Sequence, residues 1–449
     1  MNSQGPSFGL LTDLYELTMA AGYFEAGKSE EKATFELTIR HLPPNRSYIL
    51  AAGLAQAVDY LTSVRFAEDD LRYLRTLPQL AGVSEAFYDR LRRFRFTGDA
   101  LAVPEGTPVF SGEPVLTVRA PLIEAQIAET YLLSTISFQS LVATKASRIV
   151  QTAGGRGVVE FGTRRAHSPM AGVVAARAAY LGGCLGTSNT LAGKLYGIPV
   201  YGTAAHSWVQ AFPDEEEAFR RLQALLRSST VYIVDTYDTL EGTRKAAALG
   251  KPLWGVRLDS GDLLKLSRET RAILDEAGLQ DARIMASGDL NEFRIQSLVQ
   301  QGAPIDAFGV GTELVTSADS PRLNAVYKLV ELESGGIQRY TAKFSEEKAT
   351  YPGAKQVYRL EDRDVIACAW EGPPSKTAKS LLRLVLLEGR LTEPLPTAAE
   401  AQAYAKRQLS ELPAACRRLD SPEPHRIEYS RALLSLAERV RGRLGRAAS

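Results

Sequence analysis

Between about Gly154 and Leu332 the chain repeats one local theme seven times: a short apolar or β-branched run, a turn of small and polar residues, then an amphipathic helix. The runs and their turns read GVVEFGTRR, GCLGTSNT, IPVYGTAAHS, VYIVDTYDT, LWGVRLDSGDL, RIMASGDLN and IDAFGVGTEL. Strands that alternate with helices pair in parallel, because each helix is the crossover that returns the chain to the same edge. The runs are nearly continuous in apolar residues, which predicts burial on both faces, as in a barrel or a doubly wound sheet. The expected form is an irregular parallel α/β barrel. The helix after the third run, PDEEEAFRRLQALLRSS, supports this reading: Asp214 is placed as an N-cap, Glu217 is placed to complete a capping box, and acidic residues crowd the first turn.

A chain of 449 residues exceeds what one hydrophobic core commonly supports. Strand-like pieces flank the barrel on both sides: ATFELTIRHL and PVLTVRA before it, YKLVELES, IQRYTAKFS, KQVYRL and DVIACAW after it. We expect residues 1–130, with 327–395 returning to them, to form a β-rich open-faced sandwich. Residues 131–326 form the barrel. Residues 396–449, which include AEAQAYAKRQLSEL and YSRALLSLAERVRGRL, read as a helical C-terminal segment, a cap or a partner surface whose Arg-rich end is a solvated helix face.

With 53 basic against 52 acidic residues, no broad field is available to capture a nucleic-acid backbone or an anionic membrane, so neither is an expected partner. Cys184, Cys368 and Cys416 are far apart, with no zinc spacing and no disulfide framework, which fits a reducing cytoplasm. The N-terminal stretch MNSQGPSFGLLTDLYEL carries no basic-then-apolar leader pattern.

Ligands of parallel α/β folds gather at the C-terminal ends of the strands. GVGTEL, Gly309 to Leu314, joins two glycines to a hydroxyl at a helix start, which suits a phosphate held by backbone N–H groups; SGD, Ser287 to Asp289, offers a similar turn. Turn geometry alone explains either one taken singly. VRLDSGDL places Arg257 and Asp259 on one side of a strand, with Asp262 at the helix start. That pair reads either as a structural ion pair or as a bidentate anion site with carboxylates for sugar hydroxyls or magnesium. Arg164 and Arg165 after EFG add anion-binding capacity. His206 in GTAAHS, taken alone, reads as a packing or capping histidine, and His41, His167 and His425 read as structural. The sum is a pocket for a phosphorylated sugar and an anion.

The combination closely resembles the nicotinate phosphoribosyltransferase family. The resemblance is carried by LLTDLYELTMAAGYF, EFGTRRAHSP, GTSNTLAGKLYGIPVYGTAAHSW, VDTYDTLEG, GVRLDSGDL, ASGDLNE, FGVGTELVTS, NAVYKLVE and KATYPGAKQVYR, in family order over nearly the whole chain. It implies transfer of nicotinate onto 5-phosphoribosyl 1-pyrophosphate (PRPP), giving nicotinate mononucleotide and pyrophosphate, the first step of NAD salvage from nicotinate. It implies a homodimer with shared active sites, in which Tyr15 stacks on the pyridine ring in the partner's pocket with Asp13 nearby. Thr203 and Arg257 match the nicotinate contacts, Phe161 and Arg164 the wall of the base pocket, and Thr312 a PRPP contact. Asp259, Gly288, Gly309 and Gly311 fall in segments that hold ribose and phosphates. It also gives His206 a role: phosphorylation by ATP as co-substrate, with hydrolysis of the phosphohistidine coupled to transfer. Imidazole is a competent nucleophile, and a neighbouring carboxylate such as Asp235 is expected to orient its second nitrogen. Mg2+ or Mn2+ and cationic groups should stabilise the departing pyrophosphate. The alternatives are nicotinamide or quinolinate as the base, or a non-enzymatic paralogue that binds NAD precursors. The separation of Asp235 from Asp238 disfavours a purine-type phosphoribosyltransferase, whose signature sets two acidic residues side by side.

Overall fold

The computed structural model describes residues 7–344 and 350–447; the ends of the IQRYTAKFS run and the start of KATYPGAKQVYR lie outside them. The chain divides into two compact units. One comprises Leu141–Pro321 with Thr397–Ser410; the other comprises the described parts of Met1–Ser140, Arg322–Pro396 and Glu411–Ser449.

The first unit is a parallel sheet in the spatial order Gly186–Thr187, Gly157–Glu160, Ala307–Val310, Arg283–Ala286, Gly255–Leu258, Val231–Ile233. The earliest strand therefore pairs with the last, Ala307 opposite Gly157 and Val310 opposite Glu160, so the chain has gone round a circle. The third run, IPVYGTAAHS, departs from the expected strand: Val200 makes one parallel bridge to Thr187 and no ladder. Proline at 199 and a chain of turn residues from Gly202 leave it too few consecutive donors for one. The barrel is thus irregular, with its seam between Val200 and Val231. Val158, Tyr232, Val256, Ile284 and Phe308 are almost fully buried, as continuous apolar runs require.

Most of the crossover helices start on an Asn or Asp side chain. Asn189, Asp214, Asp238, Asp262 and Asn291 each accept backbone N–H groups at the first turn of the following helix, a contribution of about 1 kcal/mol apiece. At Asp214 the capping box is half made, because the Glu217 carboxylate is drawn to Arg221, 3.2 Å away on the next turn. The helix Ala398–Glu411 lies on this unit: Ala398 packs with Tyr180 and Ile198, and the Gln402 amide donates to the carbonyls of Tyr180 and Cys184.

The second unit holds a seven-stranded antiparallel sheet in the order Ile337–Tyr340, Asn324–Ser334, Lys32–His41, Pro114–Pro121, Asp99–Ala102, Arg383–Leu387, Arg390–Leu391. Strands from both flanks interleave, with Phe35 stacked on Tyr327 at 4.9 Å. A separate four-stranded sheet takes Lys355–Arg359 and Asp364–Cys368. Its edge strand, Ile427–Tyr429, pairs in parallel with Asp364–Cys368 and corrects the all-helical reading of the tail. Three residues between proline-rich loop and helix are too short a stretch to show a period. The helix Arg431–Ala447 follows, as expected. Among the described residues no helix is long and apolar enough to cross a membrane.

Glu16, in the helix Leu14–Glu25, is buried and accepts hydrogen bonds from Thr12 and Thr130. Burial outweighs these bonds and raises its carboxyl to about 7. A folded-state value above the unfolded one means that the stabilising contribution is complete below the unfolded value and is lost as pH rises through about 7. Glu16→Gln keeps the shape and cannot ionise, so it should melt higher than the wild type at pH 9 by an amount on the order of 2–3 kcal/mol. The difference should vanish near pH 5; melting curves that differ equally at both pH values would refute it.

Candidate active site

Arg257 is the third residue of its strand, at the mouth of the barrel unit, and three hydroxyl or carboxylate oxygens fix it. Its Nε donates to Ser287 Oγ at 2.8 Å, Nη1 to Thr203 Oγ1 at 2.7 Å and Nη2 to Asp259 Oδ1 at 2.7 Å. Its guanidinium carbon lies 5.5 Å from the centre of the Phe161 ring. A planar cation held on four sides can move little, so it presents a fixed charge to whatever enters beside it.

Asp259 gains from the same contacts. Burial pulls its carboxyl upward, but the Arg257 guanidinium and the Ser287 hydroxyl, which also donates to Oδ1, outweigh that and leave it below the usual carboxylate range. Its Oδ2 lies 3.7 Å from His206 Nε2, and His206 Nδ1 lies 3.1 Å from Thr236 Oγ1. The neighbours of His206 are therefore Asp259 and Thr236. Asp235, expected to orient the ring, instead turns Oδ2 to the Asp259 N–H at 3.0 Å and the Ser260 hydroxyl at 2.6 Å, groups of the adjacent loop that need an acceptor. Its Oδ1 is buried with no hydrogen-bond partner.

Beside Arg257 opens a cavity of about 460 Å3 whose lining includes Phe161, Arg164, Tyr201, Thr203 and Arg257. That volume suits a small ligand. The turn that carries Phe161 and Arg164 is pinned from below: buried Glu160 accepts from the Gly162 N–H and the Thr187 hydroxyl, and Asn189 donates to Thr163 Oγ1 at 3.1 Å. Arg164 lines the cavity, whereas Arg165 is exposed and is not among the lining residues.

The glycines differ in what they do. Gly288 has φ +84°, and a Cβ there would lie 2.0 Å from the Asp259 carbonyl oxygen, so the SGD turn closes against the Asp259 loop only with glycine. Gly309 sits inside its strand, and a Cβ would lie 2.5 Å from the Phe161 ring. Its bareness makes room for that aromatic wall. Gly311 precedes the short helical turn Thr312–Val315, and Thr312 is exposed at its start.

Models of the nicotinate phosphoribosyltransferase N-terminal domain, family and C-terminal domain match residues 10–137, 157–340 and 371–437. A nicotinate phosphoribosyltransferase of Mycobacterium tuberculosis is 45% identical, over 97% of this chain and 93% of its own length. The chain belongs to the nicotinate phosphoribosyltransferase family. The Bacillus subtilis nicotinate phosphoribosyltransferase is 42% identical over 94% of this chain and 93% of its own. The crystal structure of human nicotinic acid phosphoribosyltransferase superposes with a TM-score of 0.85 at 32% identity, covering 96% of this chain and all of that one.

Two residues that the family resemblance singles out lie in the other unit. Tyr15 is the second residue of the helix Leu14–Glu25 and is 46% exposed; burial, together with the negative charge of Glu129 and Glu16 near its hydroxyl, raises its pKa. Asp13 caps that helix in position only, its carboxylate instead accepting from Thr130 at 3.2 Å. Thr236 was missing from the sequence-derived site, and Ser287 entered it only as the first residue of the SGD turn. Thr236 lies just past the strand Val231–Ile233, next to Asp235, so scanning every hydroxyl at the strand ends would have found it.

Proposed function

We propose that the chain joins nicotinate to PRPP, releasing nicotinate mononucleotide and pyrophosphate, with transfer coupled to ATP hydrolysis through His206. The observation that carries this reading is Arg257, locked by Thr203, Ser287 and Asp259 at the wall of a cavity with an aromatic side. A fixed guanidinium with a hydroxyl beside it is suited to a ring carboxylate. The pyridine nitrogen lone pair forms the bond to ribose C1 while the C1–oxygen bond breaks and its electron pair leaves with pyrophosphate. No proton moves, so no protein base is needed, and the residues act by positioning. Phe161 stacks on the ring from one side and Tyr15 of the partner subunit from the other in a homodimer with shared sites. Arg164 adds positive charge, Gly288, Gly311 and Thr312 hold phosphates, and Asp13 approaches PRPP with Tyr15.

A magnesium or manganese ion that acts with substrate phosphates is held by one or two carboxylates. The unpartnered Asp235 Oδ1 fits such an ion, with Asp259 beside it. When bound, the ion would offset negative charge on the leaving pyrophosphate. In the coupled reaction a ring nitrogen of His206 takes the terminal phosphoryl group as the bond to ADP breaks; water later cleaves the phosphorus–nitrogen bond to give orthophosphate. The three free, buried cysteines accord with a cytoplasmic setting.

Mononucleotide formation from PRPP and each of nicotinate, nicotinamide and quinolinate, with and without ATP, tests the reading. Nicotinate should turn over fastest, and faster with ATP. Preference for either other base, or PRPP binding without product, defeats it.

A further inference from the structure

We infer that Lys145, a residue outside the cavity, is a positioning residue that sets the spacing of the two glycine turns, SGD and GVGT, and thereby the affinity for the phosphates of PRPP. Lys145 lies on the helix Glu129–Thr152 and is 1% exposed. Its Nζ is 2.7 Å from Glu292 Oε2, 2.8 Å from Asp319 Oδ1 and 3.8 Å from Glu313 Oε2. Arg148, one helical turn on and also buried, donates from Nε to Glu292 Oε1 at 3.1 Å.

These carboxylates are placed tellingly. Glu292 is the first residue of the helix that follows the SGD turn, four positions after Gly288. Glu313 follows Thr312 in the GVGT turn, and Asp319 follows the short helical turn Thr312–Val315. One ammonium group thus holds the segments after two neighbouring strands, Arg283–Ala286 and Ala307–Val310, from a third element. Taking a lysine and a glutamate out of water costs several kcal/mol before their attraction offsets it, and apolar residues of similar volume often serve stability as well. Stability alone does not call for charges here, whereas a fixed distance between two turns does. The SGD turn also has bonds of its own, Arg294 donating to the Asp289 carbonyl at 2.8 Å and Ser287 to Asp259, but those bonds stay on the SGD side, whereas Lys145 reaches the segments after both turns.

This role presupposes that the two turns cradle phosphate, as proposed above. Titration calorimetry of the full-length protein with PRPP, inorganic pyrophosphate and nicotinate, for the wild type, Lys145→Met, Lys145→Arg and Asp319→Ala, tests it alongside thermal melting. Lys145→Met should weaken PRPP and pyrophosphate binding about tenfold or more and leave nicotinate within about twofold, a tenfold change being an ordinary coupling of this size. Lys145→Arg should recover most of the affinity, since it keeps the charge. Should Lys145→Met fail to fold, Asp319→Ala, at a partly exposed position, carries the test with an expected loss of about threefold in PRPP affinity alone. Unchanged PRPP affinity in a folded variant, or equal losses for PRPP and nicotinate, overturns the role. A wild type that binds PRPP without forming product defeats the proposed function and leaves the affinity comparison decisive; a wild type that binds neither PRPP nor pyrophosphate overturns both.

Discussion

Arg257→Ala should lower kcat/KM for nicotinate by at least about one to two orders of magnitude, because a hydrogen bond to a charged group contributes about 1.5–3 kcal/mol and each 1.4 kcal/mol is tenfold. More is lost than one contact to the substrate. Thr203 Oγ1 and Ser287 Oγ lose the donor that orients them, and Asp259 loses the cation that offsets its burial. Without that cation, burial raises the Asp259 carboxyl. A depressed carboxyl keeps its stabilising charge until pH falls through its folded value, so the variant should lose activity at a higher pH on the acid side than the wild type does. Arg257→Lys should recover little, because one ammonium on a flexible stem cannot reach Thr203, Ser287 and Asp259 in the three directions that a planar guanidinium spans. Steady-state rates against nicotinate concentration, with PRPP saturating, give the answer. A nicotinate KM unchanged in Arg257→Ala, with kcat within about threefold of the wild type, would remove Arg257 from the base site.

Much of this arrangement was legible because parallel strands write themselves plainly. Each is an apolar run that ends in a turn and a helix cap, so both the strand ends and the residues on them could be read by position. Arg257 and Asp259, two apart on one run, were expected on one side and are ion-paired. What the sequence concealed were directions chosen by neighbours that lie far along the chain. Asp235 and Asp259 both stand at strand ends, and nothing local says that one turns to the next loop's backbone while the other turns towards His206. Gly309 and Gly288 look alike as letters, yet one makes room for an aromatic ring and the other for a carbonyl oxygen. Lys145 sits in a long helix whose mixture of polar and apolar residues gives no hint that this lysine reaches three carboxylates. Tyr15 came from family resemblance only, since an exposed tyrosine at a helix start has no distinctive pattern.

His206→Ala should abolish ATP hydrolysis and the phosphoenzyme while leaving ATP-independent transfer measurable. The geometry separates the two functions. His206 stands 3.7 Å from Asp259 Oδ2, a separation longer than a hydrogen bond, whereas Arg257 holds the other oxygen of that carboxylate at 2.7 Å. Removing the imidazole therefore leaves Arg257, Thr203 and Asp259 joined, and the base site should survive within about tenfold of the wild type assayed without ATP. With His206 as the phosphoryl acceptor, the loss of ATP hydrolysis should be at least about a thousandfold. Thr236→Val is the companion variant: it keeps the nucleophile but deletes the hydroxyl 3.1 Å from Nδ1, and phosphoenzyme should form more slowly without disappearing. Acid-labile phosphate retained on the protein after brief exposure to labelled ATP measures the intermediate, and mononucleotide formed with and without ATP measures the transfer. Normal ATP hydrolysis in His206→Ala, with all transfer lost, would make His206 part of the base site and leave the phosphoryl acceptor to be found elsewhere.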